Sequence, residues 1–259
     1  MHRTQKLGSG LIVRQDVLES ARFVFFASDI PEFPFWSPGG TAFVVNYQSR
    51  PYVITAAHVL EQTHRGDEPV ITNTRWGTTP VRAAKVHRVS ALDGGKLDAD
   101  MSDVAVIAFD DSIGVGAFAD TAYIVTEETI GTSDRGDALI VHGTLKAPSY
   151  ISATEVSPSF ASLEFEDVGA TSDDPFLREG RAYFDDPALQ SLSGLSGSPI
   201  YNVTRDRLCG MVVRGGIDDG NARIRFVDIF DIAKLLESIS VDQARVVYDK
   251  NVKRYSRPR

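Results

Sequence analysis

Three short segments of this 259-residue sequence carry side chains that could act together in nucleophilic catalysis. His58 follows a run of apolar and small residues, Asp103 directly precedes an apolar run, and Ser196 lies close to two glycines. A serine hydroxyl is a weak nucleophile at neutral pH, and imidazole is the side chain best suited to remove its proton. A carboxylate bonded to the other ring nitrogen holds the required tautomer. The three residue types therefore predict a Ser–His–Asp catalytic group.

The glycines near Ser196 predict a second part of such a site. Gly194 and Gly197 permit a tight turn that a Cβ atom would obstruct. In that turn the backbone N–H groups of Gly194 and Ser196 can converge on the negative charge that develops on an attacked carbonyl oxygen. We therefore predict that Gly194 and Ser196 form an oxyanion hole.

Each of the three catalytic candidates also has a simple structural explanation when taken alone. A histidine beside apolar residues is usually packed or solvated, an aspartate before a strand is commonly a turn residue, and Ser/Gly runs are common in loops. Here Asp103 follows His58 by 45 residues and Ser196 follows Asp103 by 93. The occurrence of all three in this order favours the catalytic interpretation.

Short strands separated by turn residues make up most of the sequence. Runs rich in Val, Ile, Phe and Tyr alternate with Gly, Pro, Asp and Asn, and residues 218–221 give a strong hairpin signal. Apolar residues at helical spacing predict one helix, over 228–240. The polar stretch 149–190 is expected to form long surface loops with a strand or two. The fold class is therefore all-β with a C-terminal α-helix. The predicted strands are 22–27, 41–46, 51–55, 83–89, 104–109, 122–126, 138–142, 208–213 and 222–227.

Composition and charge exclude several functional classes. Hydrophobic residues are 42% and charged residues 24% of the chain, which is typical of globular proteins, and no apolar run approaches the roughly 20 residues of a membrane helix. We therefore expect no membrane partner. The net charge of −8 argues against nucleic acid as a partner. The N-terminal residues lack the apolar core of a secretory signal, and Cys209 is the single cysteine, so the sequence predicts a cytoplasmic protein.

No metal and no cofactor are expected. His64, His87 and His142 lie in different segments without the close spacing of zinc ligands. The acidic residues within 173–186 lack the spacing of a calcium loop and are expected to form a solvated loop. Ser193, Asp98 and Asp100 are weaker alternatives to Ser196 and Asp103 as catalytic residues.

Together these motifs resemble those of the trypsin/chymotrypsin-like serine peptidases, and are closest to the cysteine-poor bacterial branch. Thr55-Ala56-Ala57-His58 is similar to the histidine motif of the family, and Asp103-Val104-Ala105-Val106 to its aspartate motif. Gly194-Leu195-Ser196-Gly197-Ser198-Pro199 resembles the serine motif. Residues 136–141 and 210–216 resemble the strand that opens the second barrel and the strand that lines the substrate groove. The resemblance spans residues 21–236.

The resemblance implies a fold of two six-stranded antiparallel β-barrels. Residues 20–126 would form an N-terminal barrel carrying His58 and Asp103, and residues 136–227 a C-terminal barrel carrying Ser196. Residues 228–240 would form the helix and 241–259 a tail.

It also implies a serine endopeptidase, acting through an acyl-enzyme. Ser196 attacks the scissile carbonyl, His58 acts as general base and then as general acid, and Asp103 orients His58. The expected partners are a peptide or protein substrate and a regulatory protein; the sequence makes no prediction of oligomeric state.

The resemblance assigns substrate-binding residues as well. Val213, Arg214 and Gly215 are expected to pair with the substrate main chain as an added strand. Gln190 is expected at the floor of the primary pocket with Ser191 beside it, and an uncharged floor argues against a preference for Arg or Lys. The arginines that could favour an acidic substrate residue, or could simply face solvent, are Arg214, Arg223 and Arg225.

Two departures from the family pattern bear on activity. Leu195 stands before the nucleophile, where most members have Asp or Asn, and Val213 replaces a common serine. In the digestive branch the aspartate receives a newly cut amino terminus, so we predict that N-terminal cleavage does not activate this protein.

Parts of the sequence are compatible with two other functions. One is a trypsin-like fold that cleaves weakly or not at all and binds peptides or proteins, with which Leu195 and Val213 would be compatible. The other is an α/β-hydrolase esterase. That class is disfavoured because its Gly-x-Ser-x-Gly elbow requires glycine at position 198 and its histidine follows the serine.

Overall fold

Most regular structure in this protein is β-sheet, as the short apolar runs predict. The structure is a computed structural model that describes residues 4–7, 10–27, 35–61, 68–72, 80–82, 85–88, 103–108, 116, 118, 120–151, 156–172, 177–184, 186 and 189–240. The predicted tail 241–259 and the candidates His64, Asp98 and Asp100 lie outside the described residues.

The described chain begins with a hairpin and a short helix. β1 (Thr4–Lys6) pairs with β2 (Ile12–Arg14), and α1 (Gln15–Ser20) follows directly. The apolar side chains of Val17 and Leu18 on α1 are buried. This burial fixes the segment against the sheet that follows.

A sheet of eight strands carries the histidine and aspartate motifs. In space seven strands run in the order β7-β6-β3-β4-β5-β9-β8, and β10 lies parallel to β4. A 3₁₀ helix (Ala57–Leu60) follows β5. No pairing joins β7 to β8 within the described residues, so the N-terminal barrel stays a prediction. In chain order the strands are β3 (Ala21–Ala27), β4 (Phe35–Tyr47), β5 (Arg50–Ala56), β6 (Glu68–Thr72), β7 (Pro80–Arg82), β8 (Lys85–Arg88), β9 (Val104–Ala108) and β10 (Tyr123–Ile124).

The C-terminal half contains a closed, six-stranded antiparallel barrel, as predicted. Its strands are β11 (Ala138–Thr144), β14 (Phe160–Ala170), β15 (Leu177–Tyr183), β16 (Pro199–Asn202), β17 (Arg207–Asp218) and β18 (Asn221–Asp228). They close in the order β11-β14-β15-β18-β17-β16 around an apolar interior. A separate hairpin of β12 (Tyr150–Ile151) and β13 (Val156–Ser157) comes before β14. Asp219 and Gly220 have φ of 45° and 75° in the predicted hairpin turn between β17 and β18.

Residues 149–190, expected to form long surface loops with a strand or two, supply two of the barrel strands and a short hairpin. β14 has 11 residues and β15 has seven. In β14 only Phe165 and Asp167 are buried, and the remaining residues are half-buried or exposed. A strand with so few buried apolar residues lacks the alternation by which strands are predicted.

The C-terminal helix is confirmed as α2 (Ile229–Ser240). Its buried residues Ile229, Ile232 and Leu236 lie at helical spacing and join the main apolar cluster, and the helix packs against β17 and β18. Neither this helix nor any other in the described ranges combines the length and apolarity that a bilayer span requires.

A buried carboxylate fixes the start of the C-terminal barrel. The Asp137 carboxylate accepts a hydrogen bond from the backbone N–H of Asp134 at 2.8 Å. It accepts two more, from Asn202 Nδ2 at 2.7 Å and Arg205 Nε at 2.8 Å. Burial acts to raise the pKa of Asp137, but these donors outweigh it and hold the pKa below its usual range. Because Asn202 lies on β16, the carboxylate ties the entry of β11 to its neighbouring strand.

We expect Asp137→Asn to lower the free energy of unfolding by about 1–3 kcal/mol, since Asp137 Oδ2 accepts all three hydrogen bonds and an amide oxygen lacks the negative charge that strengthens them. The native pKa is depressed, so this contribution is present above about pH 4 and is lost as the pH falls through the native value. Urea titrations should show the difference from wild type at about pH 7 and a smaller one at about pH 3. The control is Asp218→Asn, since Asp218 is an exposed aspartate on β17 of the same barrel. An equal loss in both variants, or a loss independent of pH, would contradict this role.

Candidate active site

His58 and Asp103 come together because β5 and β9 are paired neighbours. Ala56, the last residue of β5, is the register partner of Val104, the first residue of β9. His58 therefore lies in the 3₁₀ helix just beyond one strand, and Asp103 lies just before the other. The N–H of Ala57 extends the pairing by donating to the Asp103 carbonyl at 3.0 Å.

The Asp103 carboxylate holds His58 at two points. Asp103 Oδ2 lies 2.5 Å from His58 Nδ1, and Oδ1 accepts the His58 backbone N–H at 2.8 Å. The Asp103 side chain is 11% exposed and the His58 side chain 37%. A carboxylate on Nδ1 leaves Nε2 as the nitrogen available to accept a proton.

Ser196 stands in a turn that only glycine can complete on either side. Gly194 and Gly197 have φ of 103° and 85°, in the left-handed region. A Cβ on Gly197 would overlap the Thr41 carbonyl oxygen, and one on Gly194 would lie 2.7 Å from the Thr144 carbonyl oxygen. Both the backbone conformation and the space around it therefore exclude other residues.

The peptide groups of this turn leave two N–H groups available to a ligand. The N–H groups of Gly194 and Ser196 make no hydrogen bond within the described part of the chain. The Gly194 N–H shares a peptide group with the Ser193 carbonyl, which accepts the Lys146 N–H at 2.8 Å. The Ser196 N–H shares a peptide group with the Leu195 carbonyl, which accepts the Ser198 N–H at 2.9 Å. No peptide is cis, so each N–H points away from its bound carbonyl. This is the orientation that an oxyanion requires.

The Ser196 hydroxyl donates to the Val213 carbonyl at 3.4 Å and not to His58. Val213 lies at the register shift of β17 opposite β18, where the strand has a bulge. His58 and Ser196 nevertheless line the same two cavities. The hydrogen bond between a nucleophile and its base is commonly loose without substrate and tightens in the complex.

Two cavities meet at His58 and Ser196. The first, of about 520 Å³, is also lined by Glu61, Asp103, Val213, Arg214 and Gly215, and we call it the Arg214 cavity. The second, of about 360 Å³, we call the Lys146 cavity; its lining includes Lys146, Gln190, Ser191, Ser193, Gly194 and Gly216. The two cavities together contain every residue predicted for catalysis, for the oxyanion hole, for the primary pocket and for main-chain pairing.

Some predicted specificity residues have positions that the sequence did not indicate. Gln190 and Ser191 line the Lys146 cavity but are exposed, so neither forms a buried floor. The buried residue of that segment is Leu192. Arg223 and Arg225 alternate with the buried Ile224 on β18 and line neither cavity.

Other candidates from the sequence lie apart from this site. His142 is buried in β11, with Nδ1 2.8 Å from Ser162 Oγ. Cys209 is buried in the barrel, where desolvation raises the pKa of its thiol, so it is unreactive. Over the described ranges, no three His, Cys, Asp or Glu residues are grouped as metal ligands.

Thr41, a residue without any local sequence signal, joins the serine turn to the N-terminal sheet. Its N–H donates to the Ser196 carbonyl at 3.0 Å, and its hydroxyl donates to the Gly194 carbonyl at 2.7 Å. The hydroxyl also accepts the Thr144 N–H at 2.8 Å. The Thr41 carbonyl in turn accepts the Thr55 hydroxyl at 2.7 Å. A single buried residue of β4 therefore holds the turn against the sheet that carries the imidazole.

Leu195 anchors the turn from the opposite side. Its side chain is fully buried in the core of the C-terminal barrel, in one cluster with Ile200, Val212 and Phe226. The turn is thus attached to the barrel by apolar packing. In the digestive branch of the family that the sequence resembles, a charged residue stands at this position.

We expect Thr41→Val to slow the reaction of Ser196 with a fluorophosphonate by about tenfold or more, because the turn that carries the predicted oxyanion-hole donors loses two hydrogen bonds of the Thr41 hydroxyl. Thr41→Ser keeps the hydroxyl and should restore the rate. The matched control is Thr72→Val, since the Thr72 hydroxyl is buried and has no hydrogen-bond partner among the residues that the structure describes. Equal rates for the Thr41→Val and Thr72→Val proteins would contradict the role of Thr41.

We expect Leu195→Asp to lower the free energy of unfolding by about 3 kcal/mol or more, because it removes a core side chain and buries a carboxylate. Leu195→Met conserves volume and should cost less than about 1.5 kcal/mol. Urea titrations measure both. A Leu195→Asp protein as stable as wild type would show that the turn does not depend on this apolar anchor.

Residues 40–211, more than half of the chain, match the family model of the trypsin-like peptidase domain. That range contains His58, Asp103 and Ser196. Among curated proteins there is no significant match to the sequence.

Solved serine protease structures share the fold. The thermostable serine protease AL20 from an extremophilic microorganism is 16% identical, with a TM-score of 0.57 over 87% of this chain and 99% of that one. Neuropsin, a serine protease expressed in the limbic system of mouse brain, is 11% identical, with a TM-score of 0.55 over 93% and 100%. The scabies mite inactivated protease paralogue S-D1 is 15% identical, with a TM-score of 0.54 over 88% and 94%. The structures establish the fold, and the match to the family model identifies this chain as a member of the trypsin-like peptidase family.

Proposed function

We propose that this protein is a serine endopeptidase that hydrolyses peptide bonds through His58, Asp103 and Ser196. The observation that carries the proposal is the two-point contact of Asp103 with His58, beside a serine whose turn leaves two N–H groups available. A solvated histidine needs no such contact, whereas a general base needs its tautomer and orientation fixed.

In the proposed reaction Ser196 Oγ attacks the carbonyl carbon of the substrate while His58 Nε2 removes the hydroxyl proton. The negative charge on the carbonyl oxygen is stabilised by the N–H groups of Gly194 and Ser196. Asp103 stabilises the imidazolium that forms. His58 then donates its proton to the leaving amine, and an acyl-enzyme remains. Water, deprotonated by His58, attacks the ester and releases the carboxylic acid product, which regenerates the serine.

Productive attack requires the Ser196 hydroxyl to exchange its acceptor. The present hydrogen bond to the Val213 carbonyl is 3.4 Å long, beyond the usual range for O–H···O bonds. Rotation about the Cα–Cβ bond is therefore inexpensive and can redirect the hydroxyl. Val213, Arg214 and Gly215 line the Arg214 cavity, which supports a role in pairing with the substrate main chain.

The two-barrel arrangement is part of the same proposal. If the N-terminal sheet closes into a second barrel, the base and its carboxylate lie on one barrel and the nucleophile on the other. The hydrogen bonds of Thr41 with Ser196 and Gly194 support this arrangement, since they join the N-terminal sheet to the serine turn.

We expect a fluorophosphonate probe to label wild type at a single site and to leave Ser196→Ala unlabelled. Ser238, an exposed serine on α2 that lines neither cavity, provides the control, because Ser238→Ala should label like wild type. Asp103→Asn should slow hydrolysis of casein by about 10⁴-fold, since the amide supports the wrong tautomer of His58.

The alternative of a non-cleaving binding protein gives the opposite result. Intact protein that neither reacts with the probe nor releases peptides from casein would overturn the proposed function and favour peptide binding without hydrolysis.

A further inference from the structure

The Lys146 cavity and the Arg214 cavity differ in charge. Both contain His58, but the Arg214 cavity adds the carboxylates of Glu61 and Asp103 to a single arginine. Besides His58, Lys146 is the one side chain with a titratable group among the described residues that line the Lys146 cavity. None of those residues is Asp or Glu. The side of the site that includes Gly194 is therefore positive, although the chain as a whole carries a net charge of −8.

The Lys146 backbone is hydrogen-bonded directly to the serine turn, residues 193–197. Its N–H donates to the Ser193 carbonyl at 2.8 Å, and its carbonyl accepts the Ser149 N–H at 3.2 Å. A Cβ on Gly194 would lie only 2.8 Å from the Lys146 nitrogen, which shows how closely the two backbones approach. The base of this half-buried side chain thus has a defined position beside the nucleophile.

The Lys146 ammonium has no ion-pair partner among the residues that the structure describes. Lys234, on the exposed face of α2, does have one, in Asp231 at 2.8 Å. A half-buried ammonium without a counter-ion gains most from a ligand that supplies a carboxylate, because charge-assisted hydrogen bonds are the strong ones.

The other polar groups of the Lys146 cavity suit the same ligand. Ser191 and Ser193 carry hydroxyl groups and Gln190 carries an amide, and all of these can donate to a carboxylate oxygen. Nothing lies within 4 Å of the position that a Cβ on Gly216 would take, so the cavity has open space beside this residue. A basic side chain would find no carboxylate there and would meet the Lys146 charge.

We propose that the Lys146 cavity binds an acidic side chain of the substrate, so that this chain selects peptides with Asp or Glu next to the scissile bond. Lys146 is the specificity-determining residue, and the hydroxyl and amide donors complete the site. The inference rests on the proposed function, since it names the substrate class of the same site.

The test uses matched peptides that differ only in one residue beside the scissile bond, which is Glu, Gln or Lys, placed in turn on each side. Wild-type kcat/KM is measured for each peptide, and Kd is measured on the Ser196→Ala protein by fluorescence anisotropy. On one side of the bond, the Glu peptide should have a kcat/KM about tenfold or more above that of the Gln peptide, and a Kd lower by about the same factor. This factor corresponds to one hydrogen bond to a charged group. A preference for Lys, or equal values for Glu and Gln on both sides, would overturn the inference.

Variants of Lys146 assign the preference to this side chain. Lys146→Met keeps much of the apolar stem and removes the charge, so the Glu-to-Gln ratio should fall to about one. Lys146→Glu should reverse the ratio of Glu to Lys peptides. Lys234→Met is the control and should retain the wild-type ratio. A Lys146→Met protein that keeps the preference for Glu would overturn the role of Lys146.

The binding measurement separates failure of the inference from failure of the proposed function. If wild type hydrolyses neither the peptides nor casein and does not react with the fluorophosphonate probe, the proposed function is contradicted, and the Kd ratio on Ser196→Ala alone decides whether the cavity selects a carboxylate. If hydrolysis occurs without preference, the proposed function stands and the inference fails.

Discussion

The geometry of the site depends on how the serine turn is held, and Thr41 makes two of the hydrogen bonds that hold it. Residues 193–196 present four consecutive carbonyl groups, and each has a donor: in chain order, Lys146 N–H, the Thr41 hydroxyl, Ser198 N–H and Thr41 N–H. The N–H groups of Leu195 and Gly197 are bound as well, by the carbonyls of Leu192 and Val212. Alternate N–H groups, those of Gly194 and Ser196, are therefore the ones left over. The peptide groups that carry these two N–H groups cannot rotate without breaking a hydrogen bond. The two N–H groups are therefore preorganised, as an oxyanion hole requires.

The apolar core of the C-terminal barrel supports the same turn from behind. Leu195 lies between the two residues that offer the free N–H groups, and its side chain is in the core. When the barrel folds, burial of this leucine positions the peptide groups on both sides of it. An ion pair formed by a new amino terminus is a separate event that can follow folding, whereas core packing is not. The turn thus acquires its form together with the barrel, consistent with a site that needs no later cleavage.

The sequence predicted the parts of this protein whose structure is determined locally. The glycines of the serine turn, the strands before His58 and after Asp103, and the C-terminal helix all follow from short-range patterns. The contacts of Thr41 do not follow from such patterns. Its partners Thr144 and Gly194 lie 103 and 153 positions further along the chain, and nothing in the segment around Thr41 indicates them. Nothing in the segment around Lys146 indicates its position beside Ser196 either. Strand β14 could not be predicted because its few buried apolar residues do not show the alternation typical of a strand. The resemblance alone assigns Gln190 to a pocket floor. The residue is exposed, because its position depends on loop packing that no motif encodes.

The charges around the site match the charge separation of the proposed reaction. Proton transfer creates an imidazolium at His58, and attack creates an oxyanion near Gly194. Asp103 lies on the imidazolium side, hydrogen-bonded to the ring, and Lys146 lines the cavity that includes Gly194. In the proposed reaction the imidazolium therefore forms beside the fixed charge of Asp103, in a partly enclosed region where such interactions are stronger than in water. Under the proposed specificity, the acidic side chain of the substrate neutralises the Lys146 charge when it binds. The N–H groups of Gly194 and Ser196 are then the groups that stabilise the oxyanion, while Lys146 orients the substrate.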